Sequence, residues 1–240
     1  MRRRLPSCVC LFVSVWAAPL APALQPDTAA LRKLFEDALG RREQAYGESD
    51  ARTAQAARDL GLFLCRSGDS LSARRAMANA VRLDEKSLGP NAPQTLEDIA
   101  TLASVSPRTE AEPLLRRAAE SPDATVAGPA LTSLAAMRKA AGDQTSAAQL
   151  LRRAVEKAET ADGKDSPTVA LVLSLLAQVV PPKEAVPLLE RALSIDQQDL
   201  GAANPQTLQD VRKLAALLRA AGQPGEAANL ERQFKVSSAH

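Results

Sequence analysis

Small and apolar side chains recur along this chain at the spacing of one helix face. Five segments carry them at i, i+3, i+4 and i+7: Ala73 to Ala80, Ala111 to Ala118, Ala147 to Ala154, Ala185 to Ala192 and Ala227 to Phe234. Residues so spaced share one stripe of an α-helix. Glu231 is the single polar intruder. The segments start 38, 36, 38 and 42 residues apart, a period that signals stacked helical pairs. A first helix of each pair is marked by Leu60-Gly61, Leu102-Ala103, Leu134-Ala135, Leu176-Ala177 and Leu214-Ala215.

The distance from each of these leucines to the alanine opening the next helix alternates: 13, 9, 13, 9 and 13 residues. In the short cases Ser106-Pro107-Arg108 and Pro181-Pro182-Lys183 replace the looser turns at Gly68-Asp69, Gly142-Asp143 and Gly222-Gln223. Proline lacks the N–H a helix needs and restricts the residue before it, so those first helices are predicted to end one turn early. Between pairs, Gly47, Gly89, Gly163 and Gly201 each precede a helix start, where glycine can close the previous helix in the left-handed region. Asp50, Ser166 and Asn204 can cap the next helix, and Pro93, Pro167 and Pro205 fit its first position. Ala92 stands at a cap position without a side-chain acceptor.

The pattern begins mid-pair, because Leu31, Leu34, Phe35 and Ala38 match the second-helix stripe. The prediction is therefore all-α: a lone helix over 28–46, then five antiparallel hairpins over about 50–88, 93–121, 123–161, 167–200 and 205–236, about eleven helices in all. Residues 237–240 form a short tail. The closing helix can turn Glu226, Glu231, Arg232 and Lys235 to water as a solubilising cap.

The first 23 residues read as an export signal. Arg2-Arg3-Arg4 supplies the charged start, Cys8 to Leu20 the apolar stretch, and Ala21-Pro22-Ala23 the small residues before a cut at Leu24. The apolar stretch is short for a helix crossing a roughly 30 Å hydrocarbon layer. The expected location is periplasmic or secreted, with no membrane insertion after cleavage and an uncleaved N-terminal anchor as the alternative. Cleavage removes Cys8 and Cys10 and leaves Cys65, so the mature chain has no partner for an internal disulfide. Cys65 reads as a small hydrophobe or, alternatively, as a reactive thiol.

Charge is balanced, 30 Lys+Arg against 28 Asp+Glu, and loss of the three leader arginines leaves 27 against 28. Such a chain has no basic excess to draw nucleic acid. Aromatic residues make up 2% and the only histidine is His240, which disfavours histidine catalysis, histidine metal sites and base-stacking platforms. No zinc or calcium spacing, phosphate loop or dinucleotide fingerprint occurs, so no metal and no cofactor is expected.

Over residues 28 to 236 the chain resembles tetratricopeptide repeats (TPR), in the 42-residue form of kinesin light chains and many bacterial proteins. The resemblance rests on Leu60-Gly61, Ala73 and Ala80 with their counterparts. It rests also on Gly89-Pro-Asn-Ala-Pro-Gln-Thr95 and Gly201-Ala-Ala-Asn-Pro-Gln-Thr207, similar to the family's glycine-x-x-histidine-proline-x-threonine turn. Ala92, Ser166 and Asn204 stand where the family has histidine. The resemblance implies a right-handed α-solenoid whose first helices line a concave peptide-binding groove. Its groove positions are Gln55, Arg58 and Arg66 in the first hairpin, Glu97 in the second, Thr132 and Lys139 in the third, Ser174 and Gln178 in the fourth, and Gln209, Arg212 and Arg219 in the fifth. Five basic residues against one acidic one suit a protein or peptide partner with an acidic segment or a free carboxylate.

Gly68-Asp69-Ser70-Leu71 spells the nucleophile motif of the GDSL hydrolases, but their aspartate-x-x-histidine pair is missing, since Ser237 precedes His240 at that spacing. The string coincides with a hairpin turn where Asp69 can cap a helix. Glu36/Asp37, Asp84/Glu85 and Glu97/Asp98 are sequence neighbours that diverge by about 100° on a helix, and they are expected to be solvated. The sequence thus points to an exported, non-catalytic binding scaffold with no catalytic residue assigned. Its alternatives are an α-helical hydrolase using carboxylates and a membrane-anchored assembly component. Partner identity and oligomeric state are left open.

Overall fold

A computed structural model describes residues 28–234. The predicted signal, with Cys8 and Cys10, and the tail with Lys235 and His240 lie outside the described residues. The described chain is helical and divides into two compact units between Ser121 and Pro122.

The first unit holds α1 (Thr28–Tyr46), α2 (Ala51–Ser67), α3 (Ser70–Ser87), α4 (Pro93–Ser104) and α5 (Arg108–Ala119). The second holds α6 (Ala124–Ala140), α7 (Gln144–Asp162), α8 (Pro167–Leu176), α9 (Pro182–Asp199), α10 (Pro205–Ala220) and α11 (Pro224–Gln233). Within each unit every helix packs on the one before it and the one after it. Eleven helices stand among the described residues, as the repeat pattern predicts.

The local chemistry explains the boundaries. Helix α4 has 12 residues and α8 has 10, against 17, 17 and 16 for α2, α6 and α10. The short ones are those whose continuation meets Pro107 or Pro181. Asp50, Ser166 and Asn204 each accept a backbone N–H at the start of α2, α8 and α10, while Ala92 offers α4 no side-chain cap. Proline does not always stop a helix here: Pro113, Pro129 and Pro187 lie inside α5, α6 and α9.

In the Gly68–Leu71 string Gly68 and Asp69 form a turn, and Ser70 and Leu71 open α3. Gly68 takes φ 81°, where a side chain would be strained, and Asp69 caps α3 by accepting the Ser72 N–H at 3.0 Å. The turns between hairpins are tied by threonine. The Oγ1 of Thr53, Thr95 and Thr207 donates to the carbonyls of Gly47, Gly89 and Gly201 at 2.8, 2.8 and 2.9 Å.

The cores are built from the small-residue stripes. Ala57, Ala73, Ala80 and Ala118 in the first unit, and Ala147, Ala154, Ala185 and Ala192 in the second, have no exposed surface, so helix backbones approach closely there. Met77, Leu83 and Ile99 fill the first core, and Leu131, Leu173, Leu189 and Val211 the second. Each such aliphatic side chain contributes roughly 1.5–3 kcal/mol. No described helix is long and apolar enough to cross a membrane.

Candidate functional site

The groove positions lie on the first helices of the hairpins, α2 and α4 in the first unit and α6, α8 and α10 in the second, except Gln178, which lies in the turn just after α8. Their environments divide them into exposed side chains and side chains engaged within the protein.

In the first unit Arg58 is engaged. It sits on α2 with 9% of its surface exposed. Its Nε donates to Asp98 Oδ1 at 2.6 Å, its Nη1 donates to Gln55 Oε1 at 2.6 Å, and its Nη2 pairs with Asp84. Asp84 comes from α3 and Asp98 from α4, so one guanidinium ties three helices. Both carboxylates are buried. This corrects the expectation that Asp84 and Asp98 are solvated. The divergence of adjacent residues does turn Glu85 and Glu97 outward, but it turns their neighbours inward onto Arg58. Glu97 accepts from Gln94 at 3.2 Å, and Arg66 is exposed in the last turn of α2.

Burial outweighs Arg58 in setting the proton affinity of Asp98. Desolvation pushes this carboxyl up to about 7 from an ordinary 3.8; Arg58 pulls it back down, and the Asp84 charge pushes it further up. Burial alone would lower the Arg58 guanidinium, yet the two aspartates hold it above its ordinary value.

The second unit repeats this arrangement with different residues. Ser174 stands in α8 where Arg58 stands in α2, two residues before the marker leucine. Asp196 matches Asp84, four residues after the closing alanine, and Asp210 matches Asp98, four before the next leucine. Ser174 Oγ donates to Asp210 Oδ1 at 3.0 Å. The cation arrives from a new place: Lys213 Nζ donates to Ser174 Oγ at 2.7 Å and to Asp210 Oδ1 at 2.8 Å. Desolvation, joined by the charges of Asp210 and Asp199, pushes Asp196 up to about 6.

The other positions in the second unit are more open. Lys139 donates to the side chain of Gln178 at 2.7 Å, and the Gln178 amide donates to the Ser174 carbonyl at 3.2 Å. Thr132 donates back to the Gly128 carbonyl at 3.0 Å. Gln209 and Arg212 are exposed and make no side-chain hydrogen bond among the described residues. Arg219 donates to Glu231 at 2.5 Å. Glu231 is only 7% exposed, which corrects its expected place on a solubilising face. It occupies the interior stripe position held by Met77, Leu115, Leu151 and Leu189 elsewhere, and Arg219 neutralises it there.

Sequence reasoning missed Asp84, Asp98, Asp196, Asp210 and Lys213. Their signal was an aspartate pair recurring at the same register in two of the hairpin junctions. The third hairpin and its successor carry Ala158 and Val172 at those positions. Cys65 is half-buried beside Leu60, Phe63 and Leu64. An open groove of about 380 Å³ lies among α9, α10 and α11, lined by Leu193, Leu214, Leu218, Leu230 and Phe234 with Glu190 at its edge. None of the eleven groove positions lines it. Among the described residues no cluster of three His, Cys, Asp or Glu side chains is placed to hold a metal.

Comparison with solved structures decides the fold. BtubC (BKLC) from P. vanneervenii superposes with a TM-score of 0.70 at 20% identity, covering 90% of this chain and 91% of that one. The chain folds as a TPR-like α-solenoid. Two structures of a Podospora anserina kinesin light chain with nearly identical TPR-like repeats, one of them a point variant, match less well. Each is 19% identical over 87% of this chain and 85% of that one, with TM-scores of 0.40 and 0.41. No family model and no curated protein matches this chain.

Proposed function

We propose that this TPR-like protein is an exported, non-catalytic scaffold that binds a protein or peptide with an acidic segment along the first helices of its second unit. One observation carries this reading. Helices α6, α8 and α10 contain a single acidic residue, Asp210, and it is buried, whereas Lys139, Arg212 and Arg219 are exposed on the same helices. An acidic segment laid there meets Lys139 and Arg212 without competing carboxylates, whereas Arg219 already donates to Glu231, and arginine can grip a carboxylate bidentately. The first unit is less suited, because Arg58 is already neutralised by Asp84 and Asp98 and Glu97 adds negative charge. Non-catalytic action is supported by the enclosure of those two aspartates, each about 1% or less exposed, which leaves a substrate no approach to them. Export is supported by the leader residues Arg2 to Ala23 alone.

The test combines two measurements. Binding of a labelled glutamate-rich peptide is compared with its lysine-rich counterpart, on the unaltered chain and on Lys139→Glu/Arg212→Glu. The reading expects preference for the acidic peptide, weakening with salt, and at least a tenfold loss in the variant. Equal binding of both peptides, or an unaffected variant, refutes it. N-terminal sequencing of the precursor made in its own host then expects Leu24. An intact Met1 in the membrane fraction refutes cleavage and makes the leader an anchor.

A further inference from the structure

The two buried aspartate pairs have a charge balance that their surroundings leave incomplete. Each lies among a first helix, its second helix and the next first helix: α2, α3 and α4 in the first unit, and α8, α9 and α10 in the second. Arg58 pairs with both Asp84 and Asp98, while Lys213 pairs with Asp210 and its charge reaches Asp196. All four aspartates are at most 2% exposed. One oxygen of each has no hydrogen-bond partner: Asp84 Oδ1, Asp98 Oδ2, Asp196 Oδ2 and Asp210 Oδ2. Asp84 and Asp98 meet on the one Arg58 guanidinium, and the Asp210 charge acts on Asp196. If all four were ionised, each site would bury a net negative charge beside acceptors without donors, a costly state. One proton per pair removes the excess charge and turns one carboxyl into a donor.

We propose that these two clusters are matched proton-holding joints, which lock successive hairpins together while each aspartate pair keeps one proton and loosen them when that proton leaves. The joints do not depend on what the scaffold binds. The second joint reaches the same end by different residues: serine replaces the arginine, and a lysine on the following first helix supplies the charge.

The charged groups around each joint are few. Asp98 meets Arg58 from α2 and Asp84 from α3. On α5, which also packs on α4, Arg117 pairs with Glu85, Glu110 with Arg74 and Glu112 with Arg116. Asp196 meets Asp210 and Lys213 from α10 and Asp199 from its own helix, while α8 contributes only the Ser174 hydroxyl. The raised proton affinities of Asp98, to about 7, and of Asp196, to about 6, agree with this geometry.

A carboxyl raised above its ordinary 3.8 keeps its proton in the folded chain over a range where the unfolded chain has lost it. Stability therefore falls as pH rises across that range and levels off above it, at up to about tenfold in the unfolding constant per pH unit per joint. The surface carboxylates act in the opposite sense at lower pH. Arg82, then Lys86, holds Glu48 down to about 2, and Arg52 holds Asp50 down to about 2. Their contribution is lost as pH falls below about 4. Maximum stability is therefore expected near pH 4–5, roughly, rather than at neutrality.

The experiment follows aspartate carboxyl carbons by NMR in the unaltered, labelled chain from pH 4 to 9, alongside urea unfolding of that chain, Asp98→Asn and Asp196→Asn. Two aspartate signals are expected to titrate above pH 5. The unaltered chain should lose stability between about pH 4 and 7, and each asparagine variant should lose one signal and the corresponding part of the slope. Aspartates that all titrate below pH 5 would overturn the proposal, as would variants that keep the full slope. The NMR titration needs no variant, so a substitution that prevents folding leaves the test intact.

Discussion

Gly61 and Met77 form a matched pair, and exchanging them in a cycle tests how tightly the repeat register constrains the first core. The other four first helices carry alanine at the Gly61 position, namely Ala103, Ala135, Ala177 and Ala215. Three of the facing second helices carry leucine at the Met77 position: Leu115, Leu151 and Leu189. In the fourth hairpin Ala177 and Leu189 share one core cluster. In the first hairpin a Cβ on Gly61 would fall 2.4 Å from Met77 Sδ, 2.8 Å from its Cγ and 3.2 Å from its backbone nitrogen. Met77 is fully buried, so it has little room to retreat. Gly61→Ala gains about 1 kcal/mol of helix propensity but overpacks at a cost of about 1–3 kcal/mol, for a net loss of about 0–2 kcal/mol. Met77→Leu conserves volume and costs less than about 1.5 kcal/mol. The double variant restores the alanine–leucine pair of the other hairpins, so a favourable coupling of about 1–3 kcal/mol is expected. Urea denaturation of the four chains, followed by circular dichroism at the helix band, measures it. A stabilising Gly61→Ala, or a double variant whose loss equals the sum of the single losses, refutes the reasoning.

Removing the cation of the first joint should be severe. Arg58→Ala strands two buried carboxyls and is expected to cost about 3–5 kcal/mol at neutral pH, with the loss shrinking as pH falls and the aspartates take up protons. A loss that is constant from pH 5 to 8 by urea denaturation would contradict the assignment. Thr95→Val keeps shape but frees the half-buried Gly89 carbonyl of its hydroxyl donor, and about 0.5–1.5 kcal/mol should be lost. An unchanged denaturation midpoint would show that the threonine tie contributes nothing.

The helices were legible because their signals are local and repeated. A 3.6-residue stripe, a glycine before a cap and a proline after the last turn each act within a few residues. Chain order then carries them into hairpins. The early ends of α4 and α8 follow from Pro107 and Pro181 in that way. The repeat also carries helices past this residue type: Pro113 and Pro187 fall within the stripes of Ala111 to Ala118 and Ala185 to Ala192, and α5 and α9 continue through them, as α6 does through Pro129. The candidate site was harder. Whether Asp84 faces water or Arg58 depends on a residue 26 positions away, and Asp98 depends on that same arginine from 40 positions away. Arg58 itself satisfies the positional rule for a groove residue, yet its charge is already matched.

The comparison between the two joints shows what the repeat preserves. Ala158 and Val172 give the junction between the third and fourth hairpins an apolar solution at the same register, and both are buried. Hairpins can therefore stack at that register without ions. Where the aspartate pair occurs, a cation comes with it, but by a different route each time: from the first helix as Arg58, or from the following one as Lys213. What stays constant is two buried carboxyls and one positive charge at a helix junction. Helix–helix adhesion alone has no use for that balance, since well-packed apolar residues commonly match or exceed a buried ion pair in stability. A charge state that changes with one proton gives the pairs a property that the Ala158–Val172 junction cannot have.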